Sequence, residues 1–287
     1  MSAEASAAGI PYPPPPSYRF RVDGKRTLIT GASNGIGREA AIAFARRGAR
    51  VAVSGRSADK LEELAEDIRG EGGTAVVVPA DLSDKGQADD LAGRAAEALG
   101  GLDVLINNAG GAGAYIEGGS SGLFGTPPGT VDELFQLNVL SAYALARSAA
   151  FIMRDAGRGG CIINNSSIQA IYPTWNLGPY AAMKAALETF TRVWAQELGP
   201  WQIRVNGLAP GGVISGNLQR LIDDPNDRAA REATIPMGWL AVPEDAAAAL
   251  VFLASDDARW VSGTTIVLSG GRTGVPNYIR PEEAPRP

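Results

Sequence analysis

Tyr180 and Lys184 lie four positions apart in a segment of helical period, so both side chains project from one face. A free tyrosine titrates near pKa ~10, too high for proton exchange at neutral pH. A neighbouring ammonium favours the phenolate and lowers that value, so the pair is a candidate acid/base couple. The chain has no histidine and a single cysteine, Cys161. A Ser-His-Asp triad, a Cys-His dyad and an ordinary zinc site are therefore excluded, and no internal disulfide can form. Acid/base chemistry falls to Tyr, Lys, Asp or Glu. Ser167, thirteen residues before Tyr180, carries a hydroxyl able to polarise a carbonyl. Read alone, it is better taken as a strand-end serine that caps a turn.

A second group of residues is suited to phosphate. Gly31, Gly35 and Gly37 punctuate the run 30–37, TGASNGIG, between a β-branched segment and a segment of helical period. Glycines at this junction allow a tight turn, close backbone approach to a pyrophosphate and close helix-on-strand packing, while the helix N-terminus offers N–H donors. The alternative is a glycine-rich turn that binds nothing. In such a site the end of the second strand reads the adenosine ribose, a carboxylate favouring a free 2′-hydroxyl and a cation a 2′-phosphate. Here Ser54, Gly55 and Arg56 precede any acid, the first being Asp59. Arg56 is thus a candidate clamp for NADP, although an arginine opening a solvent-facing helix needs no ligand.

Positioning these groups requires a regular scaffold. Short β-branched runs at 27–30, 51–55, 75–79, 104–107, 161–165, 204–208 and 265–268 alternate with helical segments at 36–47, 58–70, 85–99, 131–155, 180–198 and 243–254. Seven strands joined by helical crossovers predict one α/β domain: a doubly wound, Rossmann-like, seven-stranded parallel sheet with helices on both faces. The expected domain spans 21–271, between a Pro-rich leader at 1–20, read as disordered, and a Pro-rich tail at 272–287. The stretch 110–129 is Gly-rich and long for a strand-to-helix connection.

The 287 residues are 45% hydrophobic and 20% charged, enough apolar material for a sizeable core. Twenty-six Lys+Arg against 31 Asp+Glu leave a net charge of −5, which argues against nucleic acid or an anionic membrane as partner. With no apolar run long enough to span a bilayer, the protein is expected to be soluble and cytoplasmic.

From about residue 22 to 271 the chain resembles the short-chain dehydrogenase/reductase family. The likeness is carried, in order and spacing, by the 30–37 run, Asp81 and Leu82, the NNAG run Asn107–Gly110, Asn138, Ser167, the YAAMK run Tyr180–Lys184 and the PGGVIS run Pro210–Ser215. The resemblance implies a nicotinamide cofactor and a Ser-Tyr-Lys-Asn catalytic set. Tyr180 would exchange the proton with the substrate oxygen, and Lys184 would lower its pKa and hold the nicotinamide ribose. Ser167 would orient the carbonyl, and Asn138 would anchor a water linking Lys184 to solvent. The implied cofactor contacts are Gly31, Ser33, Asn34, Gly35, Ile36 and Gly37 at the turn, Arg56, Asp81 and Leu82 at the adenosine, and Asn108, Ala109 and Gly110 as pocket floor. Pro210, Gly211, Val213 and Ser215 lie at the carboxamide, implying hydride transfer from the B face.

The expected function is NADP(H)-dependent interconversion of a carbonyl and an alcohol on a neutral, moderately bulky small molecule, running mostly as a reductase. Gln169, Trp175 and Trp239 are candidate substrate contacts, with Tyr172, Leu218 and Met237 nearby; these side chains read equally as packing for a lid. The alternatives are an NAD-dependent alcohol dehydrogenase of the same family and a catalytically idle cofactor-binding regulator. No metal is expected. Small residues Ala181, Ala182, Ala185 and Ala186 on the Tyr180 helix, together with the resemblance, point to a homodimer or homotetramer.

Overall fold

The computed structural model describes residues 19–112, 122–215, 217–220 and 222–272. Most of the leader and tail, and the centre of the 110–129 connection, lie outside the described residues. Seven strands form one parallel sheet: β1 Arg26–Thr30, β2 Arg50–Ser54, β3 Thr74–Val77, β4 Val104–Asn107, β5 Gly160–Asn165, β6 Ile203–Pro210 and β7 Thr265–Leu268. Their order is β3-β2-β1-β4-β5-β6-β7. Chain order runs outward from β1 in one direction and from β4 in the other. The crevice where ligands gather in such sheets therefore opens at the C-terminal ends of β1 and β4.

The main crossover helices are α1 Gly35–Ala45, α2 Ala58–Gly70, α3 Lys85–Leu99, α4 Pro128–Phe135, α5 Ser141–Ala156, α6 Gly178–Leu198, α7 Pro225–Glu232 and α8 Pro243–Ala254. Strand alternation sorts side chains between the two faces. Ile29, Ile106 and Ile163 pack with Phe44, Leu61 and Leu250 of α1, α2 and α8. Their neighbours Leu28, Leu105 and Ile162 pack on the other face with Leu91, Met153 and Trp194 of α3, α5 and α6. Both faces being covered explains why these strands read as continuous apolar runs.

The N-terminal ends of β1 and β4 are tied by an ion pair. Arg26 Nε donates to Asp103 Oδ2 at 2.7 Å and its main-chain N–H to the same oxygen at 2.9 Å. Phe20, placed by the sequence in the leader, belongs to the packed body: its ring meets Phe252 edge-on, with centroids 5.7 Å apart.

One element departs from expectation. The helix predicted over 131–155 is broken into α4 and α5 by a π turn, Gln136–Leu140. Within the turn, Asn138 and Val139 are buried. No glycine or proline marks the break, and an apolar period near 3.6 barely registers one inserted residue. Single π turns inside helices often sit at functional sites. Among the described residues no helix is long and apolar enough to cross a membrane.

Candidate active site

The turn between β1 and α1 is shaped by close approach. Gly31 adopts φ +65°, and a Cβ at Gly37 would lie 2.3 Å from the Gly31 carbonyl oxygen, so no side chain fits there. Asn34 precedes α1 in extended geometry without capping it through its side chain, and the first helical turn contains no acidic residue. The opening N–H groups of α1 and its positive dipole end are thus available to an anion.

Around this turn lie further features that fit a dinucleotide. Ser54 Oγ, at the end of β2, is buried without a hydrogen-bond partner, and Arg56 stands exposed two residues on. Asp81 accepts hydrogen bonds from the Ser83 N–H and hydroxyl at 3.0 and 2.7 Å. Those bonds hold its carboxyl below the usual range, and the charge of Arg56 adds to the effect. Leu82 is buried and packs into the core beside Ala88 and Leu91. After β6, Gly211 N–H donates to Leu268 at 2.7 Å, and Val213 is buried in an isolated bridge with Ala241. Ser215 comes back over the glycine turn, its Cβ 2.8 Å from where a Gly35 Cβ would stand.

Asn108 braces the turn. Its amide nitrogen donates to the carbonyl oxygens of Thr30 at 2.8 Å and Gly31 at 3.3 Å. The N–H groups of Asn108 and Ala109 donate to Thr30 Oγ1 at 3.0 and 2.9 Å. Asn108, expected as pocket floor, thus holds the glycine turn in shape through its side chain.

The catalytic candidates converge at the end of β5. Ser167 Oγ accepts the Gln169 N–H at 3.2 Å, which leaves its hydroxyl proton to point elsewhere, and it lies near enough to Tyr180 to draw that phenol's pKa down. Lys184 Nζ is buried and donates to the main-chain carbonyl of Asn165 at 2.9 Å. It lies 5.8 Å from the Tyr180 ring centre. Burial lowers the Lys184 ammonium to about 8. Burial also pushes the Tyr180 phenol above its ordinary value, with the Ser167 hydrogen bond pulling the other way. The expected acidification of Tyr180 by Lys184 is therefore corrected. The ammonium is bonded to a strand carbonyl, and desolvation of the phenolate dominates.

Asn138 reaches the same place from the π turn. Its Oδ1 accepts the Gly111 N–H at 2.8 Å, and its Nδ2 donates to the carbonyl oxygens of Gly111 at 3.1 Å and Leu134 at 3.0 Å. A Cβ at Gly110, where φ is +143°, would lie 2.6 Å from Asn138 Oδ1 and 3.3 Å from Lys184 Nζ. Gly110 thus marks where Asn138 and Lys184 approach each other.

On the substrate side, Gln169 Oε1 accepts the Thr174 N–H and hydroxyl at 2.8 and 3.0 Å. That pair of bonds fixes the loop carrying Trp175, which is 46% exposed. A Cβ at Gly122 would meet Asn176 Oδ1 at 2.7 Å, which brings the fully exposed Leu123 and Phe124 alongside this loop. Trp239, 54% exposed, lies between α7 and α8 on a segment tied to the end of β7 by the Met237 N–H, which donates to Gly270 at 3.1 Å. Gln169 adjoins Ser167 directly, whereas Trp175 and Trp239 sit on the outer segments.

Sequence reasoning missed Asn165, which meets Lys184 through its main chain and Asn108 through its side chain, Nδ2 donating to Asn108 Oδ1 at 2.8 Å. The available signal was the polar run at 164–167 closing an apolar strand.

The chain is similar to known proteins over most of its length. A family model described as enoyl-(acyl carrier protein) reductase matches residues 31–273. The chain is 37% identical to an L-rhamnose 1-dehydrogenase (NAD(P)(+)) of Azotobacter vinelandii, covering 86% of this chain and 96% of that protein. It superposes with a TM-score of 0.82 on a 7α-hydroxysteroid dehydrogenase complexed with NADH and 7-oxo glycochenodeoxycholic acid, at 37% identity, covering 89% of this chain and 96% of the other. A short-chain type dehydrogenase/reductase from Mycobacterium marinum gives a TM-score of 0.80 at 34% identity, covering 89% and 98%.

Proposed function

The chain belongs to the short-chain dehydrogenase/reductase family, and from that premise we propose that it interconverts a carbonyl and an alcohol on a neutral, moderately bulky small molecule, using NADP(H). The observation that carries this reading is the meeting of Ser167, Tyr180 and Lys184 at the end of β5, connected through Asn165 and Asn108 to the glycine turn. The bare α1 N-terminus, the crowded glycines and the unpartnered Ser54 hydroxyl fit a dinucleotide in the crevice.

When bound, the nicotinamide cofactor supplies or accepts the hydride. In the reducing direction Tyr180, protonated at neutral pH, delivers its proton to the developing alkoxide, and Ser167 donates a hydrogen bond to the same oxygen. Lys184 places a buried positive charge beside the phenolate that Tyr180 becomes. Asn138 clamps the Gly110–Gly111 backbone next to that ammonium and is assigned the anchoring of a water on the proton's way to solvent. Arg56, exposed just past the end of β2, would hold the 2′-phosphate of NADP. The exposed apolar side chains of Leu123, Phe124, Trp175 and Trp239 support an uncharged, largely apolar substrate. The NADH-bound hydroxysteroid dehydrogenase relative keeps NAD as the second reading.

The test is turnover of a panel of neutral ketones and alcohols with both cofactors, beside phosphorylated and acyl-carrier substrates. Turnover of neutral ketones with NADPH is expected, and a clear preference for anionic substrates contradicts the reading.

Assembly belongs to the same proposal. An apolar groove between α5 and α6 is lined by Tyr143, Phe151, Trp194 and Trp201, with Tyr143 and Phe151 more than 40% exposed. A second copy seated there gives a homodimer, or with a further face a homotetramer. Light scattering is expected to show an oligomer, and a strict monomer contradicts it.

A further inference from the structure

Strand β5 runs apolar from Cys161 to Ile163 and then turns polar. Asn164 is spent inside the fold, its Oδ1 accepting from Asn107 at 3.0 Å and its Nδ2 donating to Thr191 Oγ1 at 2.9 Å. Asn165 projects to the opposite face, and there hydrogen-bond polarity dictates which end of its amide is free. The carbonyl oxygens of Thr30 and Gly31 can only accept, so Asn108 must turn its NH2 toward them. That leaves Asn108 Oδ1 facing Asn165, which must answer with its own NH2, at 2.8 Å. The remaining atom, Asn165 Oδ1, is buried and has no partner.

A buried carbonyl without a donor costs stability that an apolar side chain of the same size would not. The main-chain oxygen of the same residue already holds Lys184 Nζ at 2.9 Å, so the unpaired acceptor belongs to the residue that also anchors the catalytic ammonium. The nicotinamide half of a dinucleotide carries only a few polar groups able to donate, namely ribose hydroxyls and a carboxamide NH2. We propose that Asn165 is a cofactor-binding residue whose side-chain oxygen, aimed by Asn108 and the glycine turn, accepts a hydrogen bond from that half. The proposal rests on the nicotinamide cofactor reading above and adds to it a contact outside the motifs that carry the family resemblance.

The test is equilibrium binding by protein fluorescence, comparing Asn165→Val with wild type for NADPH and for its adenosine fragment 2′-phospho-AMP; if wild type prefers NADH, the pair is NADH and AMP. Asn165→Ser serves if the valine variant does not fold. Loss of one such hydrogen bond weakens dinucleotide binding about three- to tenfold, while the fragment's dissociation constant stays within twofold. An unchanged dinucleotide constant overturns the proposal. So does an equal loss for the fragment, which would mean that Asn165 merely braces the glycine turn. Failure of wild type to bind either dinucleotide would remove the cofactor reading itself, an outcome visible before any variant is made.

Discussion

The Lys184 ammonium donates to the main-chain carbonyl of Asn165 at 2.9 Å and sits 5.8 Å from the ring centre of Tyr180, the residue its spacing made it face. Its positive charge is held by the strand carbonyl, and burial rather than that charge sets the direction in which the Tyr180 phenol shifts.

A pH profile follows from the two shifts. Tyr180 is pushed above the ordinary tyrosine value by burial, so it is fully protonated through the neutral range. Lys184, lowered to about 8 by burial, loses its charge first as pH rises. For reduction, kcat/KM is expected to be flat below neutrality and to fall through an inflection near 8. Lys184→Met should lower the plateau and abolish that inflection. A profile that climbs from pH 7 to 9 in the reducing direction would contradict the assignment.

Arg56 stands at the mouth of the crevice where its charge reaches Asp81. Arg56→Ala is expected to weaken NADPH binding about ten- to a hundredfold, the loss of charge-assisted hydrogen bonds to a 2′-phosphate, with little change for NADH. Titration of both cofactors against both proteins checks it, and an unchanged ratio rules out the NADP preference.

The parallel sheet and the helical crossovers were legible because doubly buried strands leave uninterrupted runs such as 104–107, while each crossover leaves a helical period. Tyr180, Lys184, Ser167 and the glycine turn were legible from type and spacing. The π turn was not, because one extra residue hardly disturbs the apolar period around Asn138. Neither was the partner of Lys184 Nζ: spacing of four places two side chains on one face but does not say which acceptor a long flexible stem will find. Asn165 escaped for a related reason, since its role depends on the direction of the Asn108 amide, fixed only by carbonyl oxygens more than seventy residues away in sequence.

Stability in acid should depend on Asp103. Burial pushes its carboxyl up, but the hydrogen bonds from Arg26 win and hold it below the usual aspartate range. A carboxyl lowered in the folded state contributes stability at neutral pH that is lost as pH falls through its folded value. Asp103→Asn is expected to cost about 2–3 kcal/mol at pH 7, since the pair is only partly shielded, and the gap to wild type should close in strong acid. Urea denaturation at pH 7 and pH 3 measures it, and an equal gap at both would refute the ion-pair account.

The most direct measurement is NADPH consumption by Tyr180→Phe with a neutral ketone that wild type reduces, beside the dissociation constant of NADPH. The phenol is assigned the proton transfer and not the fold of the crevice, so turnover should drop by about 10²- to 10⁴-fold while NADPH affinity stays within a few-fold. Near-normal turnover in that variant would show that the proton comes from another group.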